Sequence, residues 1–145
     1  MLRLPSSLAA IVLLVAGCGG DEMDALVDRD FLLQSSQGFT PVSDTRVSLH
    51  FGKGEVGFHA GCNSHSGRLT IAGDTLVVDG FGSTAIGCDG PRHTQDAWLA
   101  TFLTSRPTYS LNQDELTISG ESATLVFLDR EVADPKASMV SKRRG

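Results

Sequence analysis

Between residues 28 and 131 apolar side chains recur at every second position in short runs, and each run stops at Gly, Asp or Asn. A period of two places alternate side chains on opposite faces of an extended strand, whereas a helix needs a period near 3.6. The clearest run is Thr45 to Phe51, with Val47, Leu49 and Phe51 on one face and Arg46, Ser48 and His50 on the other. Gly52-Lys53-Gly54 then turns the chain back through Glu55 to Ala60. Arg68 to Ile71 and Thr75 to Val78, joined by Ala72-Gly73-Asp74, read as a hairpin. Phe31-Leu32-Leu33 reads as a first strand, and Thr108–Leu111, Leu116–Ser119 and Thr124–Leu128 repeat the pattern near the end. Such a chain is restricted to a meander of short antiparallel strands.

One segment departs from that period. From Pro91 to Ser105, Trp98, Leu99, Phe102 and Leu103 fall at helical spacing, with Pro91 suited to a first helical position and Arg106-Pro107 to a stop. A lone amphipathic helix must bury its stripe, and the concave side of a curved sheet is the surface on offer. The expected fold is therefore α+β: a curved antiparallel sheet or partial barrel of short strands with one amphipathic helix packed against it. Gly57, Gly61, Gly80 and Gly82 are placed to ease its bends.

The N-terminal residues do not belong to this domain. Leu8 to Gly17 is apolar but too short for a membrane span, which needs about 20 such residues. Arg3, then Pro5-Ser6-Ser7, then a small-residue end match the three regions of a signal peptide over residues 1–17. Val15-Ala16-Gly17-Cys18 has the form of a lipobox, so the mature chain is expected to start at a lipidated Cys18, with residues 18–27 as a flexible tether and residues 28–131 as the domain. Such a protein sits in the bacterial cell envelope on the extracytoplasmic side, facing the periplasm from the outer membrane in a Gram-negative cell. The membrane, through the lipid, is its first partner.

Charge narrows the remaining partners. The chain has 12 Lys and Arg against 17 Asp and Glu, a net of −5. Lys136, Lys142, Arg143 and Arg144 gather in residues 132–145, which read as a disordered basic tail able to touch anionic headgroups. An acidic body lacks the clustered bases that phosphate neutralisation requires, which excludes nucleic acid as a partner.

Several motifs fall in an order seen elsewhere. Gly61-Cys62-Asn63, then Gly67-Arg68-Leu69, then Thr84-Ala85-Ile86-Gly87-Cys88, then the helix and Leu116-Thr117-Ile118, resemble the META domain, or HslJ-like, family across residues 28–129. Phe31 stands where that family usually has Trp, and Gln95-Asp96 where its helix often has Glu. The resemblance implies an envelope protein, in a family some of whose bacterial members are associated with envelope stress and with tolerance to novobiocin. It implies no reaction. Gly61, Cys62, Asn63, Gly67, Thr84, Gly87 and Cys88 are the motif positions, and by the same resemblance the turn Cys62–Gly67 beside the loop Gly80–Gly90 is the favoured binding surface.

With Cys18 acylated, Cys62 and Cys88 are the two thiols left in a compartment that permits oxidation. A disulfide between them is the favoured reading. Two buried free thiols are the plain alternative. A zinc site is the weaker one, since His59, Cys62, His65, Cys88 and His93 include nitrogen and sulfur ligands but no established zinc spacing. Asn63 reads as a side chain bonding to backbone at its own turn. No nucleophile elbow is present, and Gly52-Lys53-Gly54-Glu55-Val56-Gly57 is followed by a strand, so it is a hairpin turn and no nucleotide loop. The expectation is a non-enzymatic binding or envelope-stress protein with no catalytic residue and no cofactor, acting on an unidentified envelope protein or small ligand. The rivals are a metal-binding or thiol-based activity at Cys62 and Cys88 with the nearby histidines, and a pilotin-like helper holding a partner's segment.

Overall fold

The structure, a computed structural model, describes residues 20–143. Cys18 and the expected signal peptide of residues 1–17 lie outside the described residues.

Among the described residues nine strands alternate with a few helices: α1 (Gly20–Asp24), β1 (Arg29–Gln37), β2 (Ser48–Gly52), β3 (Glu55–His59), β4 (Ser64–Ala72), β5 (Thr75–Val78), β6 (Gly82–Ser83), α2 (Gly90–Thr104), β7 (Thr108–Asn112), β8 (Glu115–Ser119), β9 (Thr124–Asp129), α3 (Arg130–Ala133) and α4 (Pro135–Lys142). Eight of the strands close a ring in the order β1-β2-β3-β4-β5-β7-β8-β9, and β9 pairs back onto β1. β6 lies outside the ring, on the start of β4. The sheet is thus a closed eight-stranded barrel, a correction to the curved or partial barrel expected from the sequence. Closure depends on Phe31 pairing with Asp129 and Gln37 with Thr124, contacts between opposite ends of the chain that no local pattern announces. It removes both sheet edges, with a bulge between Leu33 and Ser35 supplying a bend. The narrowest join is β5–β7, one bridged pair at Thr75 and Thr108 flanked by the Leu76 N–H to Pro107 and Tyr109 N–H to Asp74 carbonyl bonds.

Alternation decides which side chains enter the barrel. Leu49 and Phe51 of β2, Val56 and Phe58 of β3, Leu116 and Ile118 of β8, and Leu125 and Phe127 of β9 all point inward and are buried. Phe31 of β1 meets Phe51 edge to face, with centroids 5.8 Å apart. Four turns or strand starts, at Arg29, Gly52, Ala72 and Asn112, lie at one end of the barrel; the β1–β2, β3–β4 and β8–β9 connections lie at the other.

α2 closes the second end. Asp89 caps it by accepting from the Arg92 N–H, Pro91 sits in its first turn, and Arg106 takes a left-handed φ of 62° before Pro107. Leu99, Phe102 and Leu103 enter the core, as the spacing requires, and Trp98 is half-buried between stacked Phe39 and Phe102. Gly120 in the β8–β9 turn is a close approach, since a Cβ there would lie 2.8 Å from the Phe102 ring.

The opposite end holds a second correction. Residues 20–27 were expected as part of a flexible tether, but Gly20–Asp24 are helical, Met23 packs on the core and Leu26 is fully buried. An Asp28 N–H to Phe51 carbonyl bond of 2.8 Å fastens the segment to β2. The polar spelling Gly19-Gly20-Asp21-Glu22 hides this, because two apolar residues, Met23 and Leu26, are enough to plug a barrel mouth. The tail departs from expectation too: its residues from Pro135 to Lys142 form α4 where disorder was expected. Lys142 pairs with Glu131 at 3.0 Å, and Arg46 with Asp134 at 3.1 Å.

Candidate functional site

The motif residues meet at the α2 end of the barrel. β3 stops at His59, and Gly61 takes a φ of +103°, a conformation that L side chains rarely adopt. A Cβ on Gly61 would also press on Thr45, 2.7 Å from its methyl carbon. This turn sets Cys62 and Asn63 side by side, both buried. The Cys62 and Cys88 sulfurs are bonded, across 26 residues and with Cα atoms 5.9 Å apart, within the usual range for a disulfide.

Asn63 is the hub. Its Oδ1 accepts from the Ile86 N–H at 2.7 Å and the Thr84 hydroxyl at 2.9 Å. Its Nδ2 donates to the Ile86 carbonyl at 3.3 Å and to the Cys62 sulfur at 3.1 Å. The expectation that Asn63 would serve its own turn is corrected: it binds a segment more than twenty residues away, so that one amide satisfies both backbone groups of Ile86. β6 adds His65↔Ser83 and Ser66↔Gly82 pairing. The turn Cys62–Gly67 and the loop Gly80–Gly90 are therefore one surface, with Ile86 exposed at its outside. Gly67 is required because the Gly80 carbonyl lies where its Cβ would be. Gly87 meets nothing within 4 Å, and nothing in the structure explains its place in the motif.

Two helix residues complete the arrangement. Gln95 receives the Val42 N–H at 2.6 Å and donates to Thr45 Oγ1 and the Ala60 carbonyl, joining the β1–β2 loop to the β3–β4 turn. Asp96, 2% exposed, accepts the Asn63 N–H at 2.7 Å on Oδ2, and His65 Nε2 lies 3.0 Å from the same oxygen. Its Oδ1 is buried without a hydrogen-bond partner. The His65 ring stacks on Phe58 at 4.2 Å, with Phe81 edge-on to both. Sequence reasoning gave Gln95 and Asp96 little weight. The signal was available: two polar residues continue the buried stripe of Leu99, Phe102 and Leu103, and polar groups at core positions need buried partners.

The zinc set is not assembled. Cys62 and Cys88 are bonded to each other, His65 is engaged with Asp96, and exposed His59 accepts the Gly61 N–H through Nδ1. His93 is exposed on α2, and among the described residues no three His, Cys, Asp or Glu side chains are grouped as ligands. An open cavity of 710 Å³ lies at the barrel's other end, among Asp28, Asp30, Asp114 and Asp129. Arg29 crosses it, bonded to Asp129 at 2.7 Å and Asp114 at 3.1 Å. Also at that end, Tyr109 has its hydroxyl pushed above its ordinary pKa of 10.0 by burial first, then by the charges of Glu22 and Asp74.

Chemically the motif region is a clamp. Its donors and acceptors fasten a loop and a helix to a hairpin, and its sulfurs are paired. Comparisons with known proteins agree on the architecture. A protein solved by NMR superposes with a TM-score of 0.63 at 21% identity, covering 76% of this chain and 96% of its own. A second NMR structure, of a protein from Burkholderia xenovorans, gives 0.62 at 17% identity, covering 89% of this chain and 98% of its own. A search of curated proteins found no match. The model of the META domain matches residues 24–132, a span that includes Leu26 and every motif residue, and the chain therefore belongs to the META domain family.

Proposed function

We propose that this chain is a lipoprotein of the bacterial cell envelope, anchored on the extracytoplasmic face through acyl chains on Cys18, whose META domain acts by binding and not by catalysis. The observation that carries the reading is the Cys62–Cys88 bond, since disulfides persist in the oxidising compartments to which a lipoprotein signal delivers its cargo. The binding role draws support from the way Asn63 and Thr84 use their polar atoms on each other and on backbone, and Gln95 on Thr45 and backbone, which leaves a rigid surface around exposed Ile86. Its partner is an envelope protein or small ligand.

The anchor is tested by labelling cells with radioactive palmitate and fractionating them. The natural chain takes up label and pellets with membranes, and Cys18→Ala does neither; an unchanged distribution overturns the anchor. For the binding role, a photocrosslinking residue at position 86 is activated in intact cells. Covalent capture of one envelope component is expected, and capture of nothing beyond lipid would count against it.

A further inference from the structure

We infer that the open edge of β7, at the α1 end of the barrel and away from the Ile86 surface, takes an extended basic segment of a partner protein as an added strand. The barrel is weakest at this seam. β5 and β7 share one bridged pair, and the last bond between them runs from the Tyr109 N–H to the Asp74 carbonyl at 2.7 Å. Beyond it β5 has turned away into the β4–β5 hairpin, while β7 runs on through Ser110 and Leu111 to Asn112. Backbone groups alternate in direction along a strand. Because the Tyr109 N–H points toward β5, the Tyr109 carbonyl and both backbone groups of Leu111 point the same way. Among the described residues no bond reaches these three groups across the seam. Such an edge is a template for another strand. It is also uncovered, since an open cavity of 300 Å³ lies beside it, lined by Glu22, Ala25, Asp74, Tyr109, Ser110 and Leu111.

Charge selects the occupant. Glu22 and Asp74 are exposed on the cavity wall, and neither has a base as partner among the described residues. Tyr109 registers both, because their charges add to burial in holding its proton. Asp24, Asp28 and Asp114 extend the negative surface at the same end, where the bases are engaged: Arg29 with Asp114 and Asp129, Arg130 with Asp30, and Lys142 with Glu131. Lys53, the remaining base of the turns there, is separated from β7 by β4 and β5 in the ring. The field at the seam is therefore negative, which attracts arginine and lysine side chains and repels an acidic strand. A second copy of this chain is disfavoured for the same reason, since pairing β7 with β7 would bring the carboxylates of both copies together. Main-chain bonds to β7 and pairing with Glu22 and Asp74 are the two parts of the recognition.

The test uses residues 18–145 with Cys18→Ser, which retains the fold because all the described core residues lie between Met23 and Phe127. A synthetic peptide of alternating arginine and valine is titrated into this protein and followed by amide NMR. Binding is expected to shift the Leu111 amide and slow its hydrogen exchange, and to lower the absorbance midpoint of Tyr109 as guanidinium groups settle beside Glu22 and Asp74. A peptide with glutamate in place of arginine should not bind. N-methylation of the arginine peptide's backbone keeps its charge and removes its donors, and should weaken binding more than about tenfold. Glu22→Gln and Asp74→Asn should each weaken it about two- to fivefold, with the barrel checked by circular dichroism. No binding, equal binding of the N-methylated peptide, indifference to both substitutions, or binding that leaves Leu111 unmoved overturns the inference. So does a dimer in sedimentation velocity with the Leu111 amide protected before peptide is added, since a second copy would then fill the edge.

Discussion

Replacing Asn63 with Ala removes the side chain that ties the loop before α2 to the β3–β4 turn. Four hydrogen bonds are lost, of unequal worth. The two on Oδ1, at 2.7 and 2.9 Å, have the lengths of good bonds and contribute about 1 kcal/mol each. The two on Nδ2 go to a sulfur, a weak acceptor, and to a carbonyl at the long distance of 3.3 Å, and together they add less than about 1 kcal/mol. Ile86 is exposed, so its freed N–H and carbonyl recover water and add no further penalty. The expected loss is roughly 2 to 3 kcal/mol, a large share of the 5 to 15 kcal/mol that holds a domain of this size. At about 3 to 5 °C per kcal/mol the melting temperature should fall by roughly 6 to 15 °C. Thermal and urea melts followed by circular dichroism, run without reductant, measure it, and an unchanged urea slope would show that the denatured state is not involved. Thr84→Val removes one of the four bonds and also the acceptor of the Ser64 N–H at 3.2 Å, and should cost about 1 to 2 kcal/mol. A change under about 0.5 kcal/mol for Asn63→Ala, the size of an ordinary surface substitution, would refute the hub.

Three further outcomes follow from the same structure. Cys62→Ala with Cys88→Ala opens a loop spanning 26 residues and should cost about 3 to 4 kcal/mol on the chain-entropy model; an unchanged melting temperature would refute a stabilising bridge. Leu26→Ala empties the plug and should cost about 2 to 5 kcal/mol in the same melts, whereas a true tether would make it silent. Tyr109 is the chain's one tyrosine, so an absorbance titration reads it alone, and its midpoint should lie above 10.0, falling back toward that value in Glu22→Gln if α1 is docked. Because the folded state holds that proton more tightly, Tyr109's contribution is complete below pH 10 and is lost as pH rises through the raised midpoint.

The local spelling determined a good deal. Period-two alternation located the central strands and their inward faces, and helical spacing with Pro91 before it and Arg106-Pro107 after it located α2, because these signals arise from steric rules within a few residues. The motif order was enough to place the chain in its family. A Cys62–Cys88 bridge was the favoured reading from cysteine number and the expected compartment, with free thiols and zinc left open, and the structure has the bond. What lay beyond the sequence is whatever depends on residues far apart in the chain. Whether β1 finds β9 and shuts the barrel is settled by the sum of pairings around the ring, and strand patterns look the same in an open sheet. Leu26 becomes core only because a barrel mouth stands open above it. Asn63, Gln95 and Asp96 are ordinary polar residues until folding places Ile86, Val42 and His65 within hydrogen-bond reach, and a buried polar group is stable only with such partners.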